Sequence, residues 1–215
     1  MELEVDTRVG CWETYDKKFK NNNQIFEFFV EHTEGYDGLY GRNNMIFDMI
    51  ILQKDNIVKL MIKNKWKLKP EFIHGSVGTA SHEITKLILD NLEQSIDNRS
   101  MGDILDLVGM NGDMEHLQLL IQHGINIRFR NELLLRAACT GGHYRMVEFL
   151  LDHGAKPNAN RGAALKWAYK KGYVDIMNLL IERKAIVYPE FSSINYYRRD
   201  ASLLARKILE KHVRR

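Results

Sequence analysis

Two segments of this chain repeat each other thirty residues apart, and this repetition constrains the fold more than any other feature. Residues 142–155 read GHYRMVEFLLDHGA, and residues 172–185 read GYVDIMNLLIERKA. A fixed period of this length is typical of a solenoid, in which each unit buries its apolar face only by stacking on its neighbours. Such folds present an extended surface to partners, so the repeat favours binding over catalysis.

The same block recurs towards the N-terminus with decreasing clarity. The first apolar residue of each copy serves as a marker, and the six marker positions are Ile25, Ile57, Ile84, His116, Met146 and Ile176. Successive markers are separated by 32, 27, 32, 30 and 30 residues. His116 is polar where the other copies are apolar. Agreement is strong in the last three copies and weak in the first.

Each copy has the apolar pattern of a helix. In the copy that starts at Met146, apolar residues fall at i, i+1, i+3, i+4 and i+5, which gives a broad helical face. Gly154 follows, where a left-handed residue can end the helix. A second apolar stretch precedes each of the last three copies, at 104–108, 133–138 and 163–168. We therefore predict an all-α fold built from units of helix, tight turn, helix and polar loop. The register of the repeats places Leu150 and Leu180 in the stack.

These residues resemble the ankyrin repeat family. The resemblance is carried by an Ala-rich first helix and Gly-His turn (135–143), a Val-x-x-Leu-Leu second helix (146–151) and a Gly-Ala-x-x-Asn loop (154–159). The family's Thr-Pro-Leu-His signature is missing, and Glu132-Leu133-Leu134-Leu135-Arg136 stands in its place, which weakens the expected cap of each repeat. The Asn- and Lys-rich style is similar to that of ankyrin proteins of large DNA viruses of amoebae. The resemblance implies an ankyrin-type solenoid of about five to six repeats with a C-terminal capping helix.

The pattern predicts three regions along the chain. Residues 1–42 are expected to form an atypical N-terminal repeat or a cap, because terminal repeats must present one polar face. Residues 43–190 are expected to hold ankyrin-type repeats at approximately 43–69, 70–100, 101–130, 131–160 and 161–190. Residues 191–215 are expected to form a C-terminal capping helix and a basic tail.

The C-terminal region contains an amphipathic stretch at residues 199–212. Its apolar side would dock on the preceding repeat through Leu203, Leu204, Ile208 and Leu209. The alternative is a helix that lies on a membrane surface, but the short apolar face favours the capping role.

Composition indicates an ordered chain without a membrane span. Of the 215 residues, 45% are hydrophobic, and no run of eighteen apolar residues occurs. The acidic segment Met1–Asp6 lacks the apolar core of a secretory signal. Cys11 and Cys139 lie in different units, so we expect two reduced thiols. We therefore expect a monomeric cytoplasmic protein, in the host cytosol if it is viral, with the nucleus as an alternative.

Charge changes from acidic to basic along the chain. Residues 1–40 hold nine Asp and Glu against four Lys and Arg, whereas residues 123–215 hold eight against eighteen. A basic end can steer an acidic protein partner or a nucleic acid towards the molecule. The alternative is that the excess charge serves only solubility.

Candidate partner-binding residues follow from the resemblance, which implies a concave face made of the inter-repeat loops and the exposed side of the inner helices. The loop candidates are aromatic or basic, and they are Trp66, Arg128, Phe129, Arg130, Lys156 and Arg161. Aromatic residues and Arg are enriched at binding hot spots. The inner-helix candidates occupy positions that the family leaves variable, and they are Thr140, Trp167, Lys170 and Lys171. The alternative for Trp66, Phe129 and Trp167 is packing between repeats.

The sequence contains only weak signals for metal binding, phosphate binding or catalysis. The histidines show no recognisable ligand spacing, and His82-Glu83 lacks the second His of a His-Glu-x-x-His helix, so we predict no metal and no cofactor. The stretch Gly75–Thr79 lacks the Gly-Lys-Ser/Thr ending of a phosphate loop and is interpreted as a closely packed inner helix. No Ser or Cys lies in a nucleophile motif with a base, so we do not predict an enzyme.

The sequence as a whole favours a non-catalytic scaffold or adaptor that binds another protein. A preformed face loses little conformational entropy on binding. The alternative is a nucleic-acid-binding module in the basic C-terminal half, whose affinity would fall steeply with salt. The repeat architecture does not identify the partner, because specificity depends on side chains that vary between proteins.

Overall fold

The computed structural model describes residues 45–188 and 203–212, which divide into one unit that ends at Glu93 and another that begins at Gln94. These residues form eleven helices and, within the same ranges, no strand. The predicted all-α repeat fold is therefore confirmed. The predicted cap at residues 1–42 and the faint copy at Ile25 lie outside the described residues.

The first unit contains two described helix pairs. The helices are α1 (Met45–Ile51), α2 (Asp55–Lys63), α3 (Glu71–Gly78) and α4 (His82–Asn91). Helix α1 packs on α3, and α2 packs on α4. The core between them is apolar and closed, since Ile50, Phe72 and Ile84 are each at most 1% exposed.

Small residues in α3 allow its neighbours to approach closely. A Cβ atom added to Gly75 would lie 2.9 Å from the ring of Phe47 in α1. On the side that faces α4, the buried hydroxyl of Thr85 donates a hydrogen bond of 2.7 Å to the buried hydroxyl of Ser76. Residues 75–78 are thus part of a packed helix, as the sequence interpretation required.

The described part of the second unit contains three helix pairs and a final helix. The pairs are α5 (Asn98–Asn111) with α6 (Met114–Gln122), α7 (Phe129–Gly141) with α8 (Tyr144–Asp152), and α9 (Ala159–Lys171) with α10 (Val174–Glu182). The long helices pack in series, α5 on α7 and α7 on α9, while α8 and α10 pack behind α7 and α9. Each long helix begins two or three residues before the predicted repeat boundary.

Equivalent positions are buried in all three repeats of the second unit, which is the physical basis of the thirty-residue period. Val108, Ala138 and Ala168 are 0% exposed, and so are Leu117, Val147 and Met177. Leu120, Leu150 and Leu180 are at most 2% exposed, so the predicted place of Leu150 and Leu180 in the stack is confirmed. Burying one such aliphatic side chain contributes roughly 1.5–3 kcal/mol.

His116, the polar residue at an otherwise apolar position, is fully buried because Asp113 satisfies it. The carboxylate of Asp113 caps α6, accepting hydrogen bonds from the backbone N–H groups of Glu115 and His116. Its second oxygen lies 2.8 Å from Nδ1 of the His116 ring. A buried polar group is tolerated only when it has such a partner.

A left-handed glycine ends each long helix of the second unit, and at Gly112 and Gly142 a ring from the next repeat covers it. Gly142 has φ +84°, and a Cβ atom added there would lie 2.6 Å from the ring of Tyr173. His143, thirty residues before Tyr173, covers Gly112 in the same way, and its Nε2 donates a hydrogen bond of 2.6 Å to the carbonyl of Met110. These contacts fix the spacing between successive repeats.

The starts of α7 and α9 differ from an ordinary helix start. Three consecutive residues in each are left-handed, Arg130–Glu132 with φ 47–60° and Asn160–Gly162 with φ 49–67°. Neither N-cap residue, Arg128 nor Asn158, makes a side-chain cap bond. Asn158 bonds to the following loop instead, donating to Lys184 O at 3.0 Å and accepting from Ile186 N at 2.7 Å.

The last described helix, α11 (Leu203–His212), packs on α10. Leu209 is 2% exposed and Ile208 is half-buried, whereas the side chains of Leu203 and Leu204 lie outside the described residues. None of the helices in the described ranges combines the length and apolar character that crossing a membrane requires.

Candidate protein-binding surface

The long helices of the second unit present a row of accessible side chains at equivalent positions. We call this surface the inner face, and it consists of Asp103, Asp106, Leu107 and Met110 on α5, Leu133, Arg136 and Thr140 on α7, and Lys166, Trp167, Lys170 and Lys171 on α9. All of these residues are exposed or half-buried. Because α5, α7 and α9 pack in series, the face is continuous across three repeats.

The α9 part of this face combines cations with an aromatic ring. Lys166 and Lys170, and likewise Trp167 and Lys171, are four residues apart and share one side of the helix. Nζ of Lys170 lies 4.9 Å from the centroid of the Trp167 ring, a cation–π distance. We call these four residues the α9 stripe. Trp167 is half-buried, so part of its ring remains accessible to a partner.

The loop candidates 128–130 make intramolecular contacts. Nε of Arg128 lies 3.0 Å from a carboxylate oxygen of Glu132, whose side chain is 6% exposed. The guanidinium of Arg130 lies 5.1 Å from the centroid of the Phe129 ring and against Gly102 in α5. Arg128 and Arg130 are exposed and Phe129 is half-buried. These side chains therefore order the loop, and replacing them would disturb the fold as well as the surface.

The remaining candidates occupy different environments. Lys156 is exposed in the loop that precedes α9, and Arg161 is exposed in the left-handed turn at the start of α9. Thr140 is half-buried, and its hydroxyl donates a hydrogen bond of 2.8 Å to Arg136 O within α7.

Trp66 does not reach the surface, so this member of the predicted set is corrected. It is 2% exposed, in the core of the first unit. The left-handed Lys65 (φ 59°) reverses the chain after α2, and Trp66 N then donates to Met61 O at 3.1 Å. This reversal places the indole beneath the helices. Trp66 therefore has the packing role that the sequence analysis gave as the alternative to partner binding.

Sequence reasoning missed seven members of the inner face, namely Asp103, Asp106, Leu107, Met110, Leu133, Arg136 and Lys166. The thirty-residue period could have found them, because Asp106, Arg136 and Lys166 occupy one position in three successive repeats. Arg136 is half-buried, and its Nε has no hydrogen-bond partner within the described part of the chain. Its Nη2 donates a hydrogen bond of 3.3 Å to Arg130 O.

The short helices carry a different surface on the other side of the repeats. A shallow groove of about 400 Å³ between α8 and α10 is lined by Tyr144, Asp175, Asn178, Leu179 and Glu182. Partial burial raises the pKa of the Tyr144 hydroxyl, and the carboxylates of Glu148 and Glu182 raise it further. The groove is acidic, whereas the α9 stripe is basic.

Cys139 is unsuited to nucleophilic chemistry. Its side chain is 0% exposed in α7, and this burial raises the pKa of the thiol far above neutrality. Because the thiolate is the nucleophilic form, a thiol that stays protonated and enclosed is inert.

The second unit is therefore a stack of helix–turn–helix repeats with a continuous row of accessible side chains. Residues 105–189 match the family model for ankyrin repeats in three copies. This part of the chain is therefore similar to ankyrin repeats, which generally mediate protein–protein interaction.

Similar proteins match the chain over short segments. A protein of Acanthamoeba polyphaga mimivirus that is named as an ankyrin repeat protein, L279, is 33% identical over 31% of this chain and 14% of its own length. Serine/threonine-protein kinase TNNI3K of Mus musculus and that of Rattus norvegicus are each 39% identical, over 29% of this chain and 9% of the kinase. The mimivirus match supports the resemblance to viral ankyrin proteins.

Proposed function

We propose that the second unit binds another protein on its inner face and acts as a non-catalytic scaffold or adaptor. The observation that carries this proposal is the continuous row of accessible side chains on three packed helices, with Trp167 and three lysines on α9. A stack of repeats holds such a row rigid before the partner arrives.

The α9 stripe is the main anchor of the proposed interface. Trp residues dominate binding energy where they become fully buried in a complex. The half-buried ring of Trp167 has accessible apolar surface left to cover. The lysines beside it attract acidic groups of a partner, an attraction that salt weakens because exposed charges are screened beyond about 10 Å at 0.1 M.

A protein fits the inner face better than a nucleic acid does. Asp103 and Asp106 are exposed on α5, two helices from the α9 stripe. They would repel a phosphate backbone that followed the face from α9 to α5, whereas a protein can supply both signs of charge.

Site-specific photo-crosslinking in cells that express the full chain tests this proposal. A benzophenone amino acid replaces Thr140 on the inner face or, as the matched control, Asn178 in the groove on the other side. We expect a crosslinked protein from position 140, none from position 178, and loss of the product in the Lys166→Glu/Lys170→Glu variant. Equal products at both positions, or a product that nuclease removes, would overturn the proposal.

A further inference from the structure

The inner face changes sign from one end to the other. Asp106, Arg136 and Lys166 occupy the same helix position thirty residues apart, so one row across the face runs from anion to cation. A parallel row, Met110, Thr140 and Lys170, runs from apolar to cationic. Asp103 adds a second exposed carboxylate at the α5 end, and Lys171 adds an exposed amine at the α9 end.

The separation of these charges sets a length for any segment that contacts both. Packed helices lie roughly 8–10 Å apart, so the axes of α5 and α9 are separated by about 20 Å. An extended chain advances roughly 3.3 Å per residue. A segment that lies across the three helices therefore places groups about six residues apart over the two ends.

We propose that the inner face recognises an extended, bipolar segment of its protein partner. Its acidic end lies over the α9 stripe and its basic end lies over Asp103 and Asp106, about six residues away. The inference rests on the proposed function and adds the chemistry and the direction of the bound segment. Opposite charges attract each other when the segment binds in this direction, whereas the reversed segment would place like charges together at both ends.

Two peptides of identical composition test the polarity. In one, a block of glutamates and a block of lysines are separated by a neutral Gly-Ser spacer, so that the block centres are about six residues apart. In the other, glutamates and lysines alternate along the whole length. Because both are neutral overall, net charge cannot distinguish them, and fluorescence anisotropy with the full chain at low salt compares their affinities.

We expect the segregated peptide to bind about tenfold more tightly, since several exposed charge pairs act together although each of them is weak. The Asp103→Lys/Asp106→Lys variant should lose this preference and bind an all-glutamate peptide more tightly than the wild type does. A nitroxide on the glutamate end should broaden the Trp167 indole resonance more than the Met110 methyl resonance, and a nitroxide on the lysine end should do the reverse.

Equal affinities for the two peptides, including no measurable binding of either, would overturn the polarity. The proposed function fails on a different result, the absence of an inner-face product in the crosslinking experiment. A crosslink at position 140 together with equal peptide affinities would therefore retain the binding face and reject the bipolar segment.

Discussion

The two units use the same backbone turns with different residues. In the second unit, Gly142 and Gly172 hold the left-handed position that ends a long helix, with φ of 84° and 75°. In the first unit, Gln53 and Ala80 hold the corresponding positions after α1 and α3, with φ of 53° and 55°. The repeat geometry therefore persists where its glycine signature has been lost.

This difference has a free-energy cost. A residue with a Cβ atom loses roughly 1–2 kcal/mol in the left-handed region, which glycine avoids. The first unit offsets this cost with dense apolar burial, including Phe72, Ile73 and Trp66 at 0%, 0% and 2% exposure. The comparison teaches that the period of a repeat can fade from the sequence while buried positions still maintain the helix pairs.

The largest expected effect comes from Gly142→Ala. The added Cβ would be strained at φ +84° and would lie 2.6 Å from the Tyr173 ring, so we expect a loss of about 3 kcal/mol. Gly124→Ala is the matched control, because φ is +70° there but nothing lies within 4 Å, and it should cost about 1 kcal/mol.

Labelling of the buried Cys139 thiol in a Cys11→Ser background measures the opening of the second unit in both variants. Equal labelling rates would show that the ring contact between repeats contributes nothing. Backbone strain at the left-handed position would then account for the whole loss of stability in both variants.

Asn158→Ala should have the next largest effect. It removes both hydrogen bonds from the Asn158 amide to the loop of the following repeat, at about 1 kcal/mol each. The control is Asn126→Ala, which loses one exposed bond to Arg128 N within its own loop and should cost less than about 1 kcal/mol. Urea unfolding of each variant provides the free energies, and equal losses would refute the role of Asn158 between repeats.

Ala80→Gly should stabilise the first unit by about 0.5 kcal/mol. Glycine relieves the left-handed strain but adds conformational entropy to the unfolded chain, so the gain is a partial one. Lys86→Gly, at an exposed position inside the right-handed helix α4, should destabilise by about 1 kcal/mol. The fluorescence of the buried Trp66 during unfolding reports on this unit, and a loss of stability in Ala80→Gly would contradict the shared-turn account.

The smallest expected effect concerns Asp97, which caps α5 at the start of the second unit. The Ser100 hydroxyl, followed by the backbone N–H groups of Ser100 and Arg99, lowers the pKa of this carboxyl below its ordinary value of 3.8. Its stabilising contribution is therefore fully present above that ordinary value and is lost as the pH falls through the lower folded pKa.

Asp97→Asn keeps a capping side chain but cannot titrate. We expect the difference in thermal midpoint between wild type and this variant to disappear on acidification through that range. A difference that stays constant with pH would show that the Asp97 charge does not contribute.

The sequence predicts those features of the fold that depend on burial of the same position in every repeat. Leu150 and Leu180 were placed in the stack, and Gly154 was placed at a left-handed helix end, where its φ is +83°. Trp66 could not be placed, because its burial depends on the left-handed Lys65, a residue without a left-handed signature. The left-handed starts of α7 and α9 were missed for the same reason.

The inner face was predicted only in part, because side-chain exposure depends on packing between helices. Trp167 and Lys170 were selected because they occupy positions that the resembled family leaves variable, and both lie on the face. Asp103 and Asp106 were passed over, because the stretch 104–108 was interpreted only through its apolar residues. The packing of the neighbouring helices shows which side of α5 is buried. Only then do the acidic side chains between the apolar ones identify the exposed side.

Indole N–H resonances of the three tryptophans offer the most direct test of the central claim that this protein binds through its inner face. Trp167 lies on that face, whereas Trp66 is buried in the first unit and serves as an internal reference. Trp167→Phe and Trp66→Phe variants assign the two resonances in the full chain. On addition of the protein captured by crosslinking at position 140, the Trp167 resonance should shift and the Trp66 resonance should stay in place. An unchanged Trp167 resonance at saturation would contradict the account.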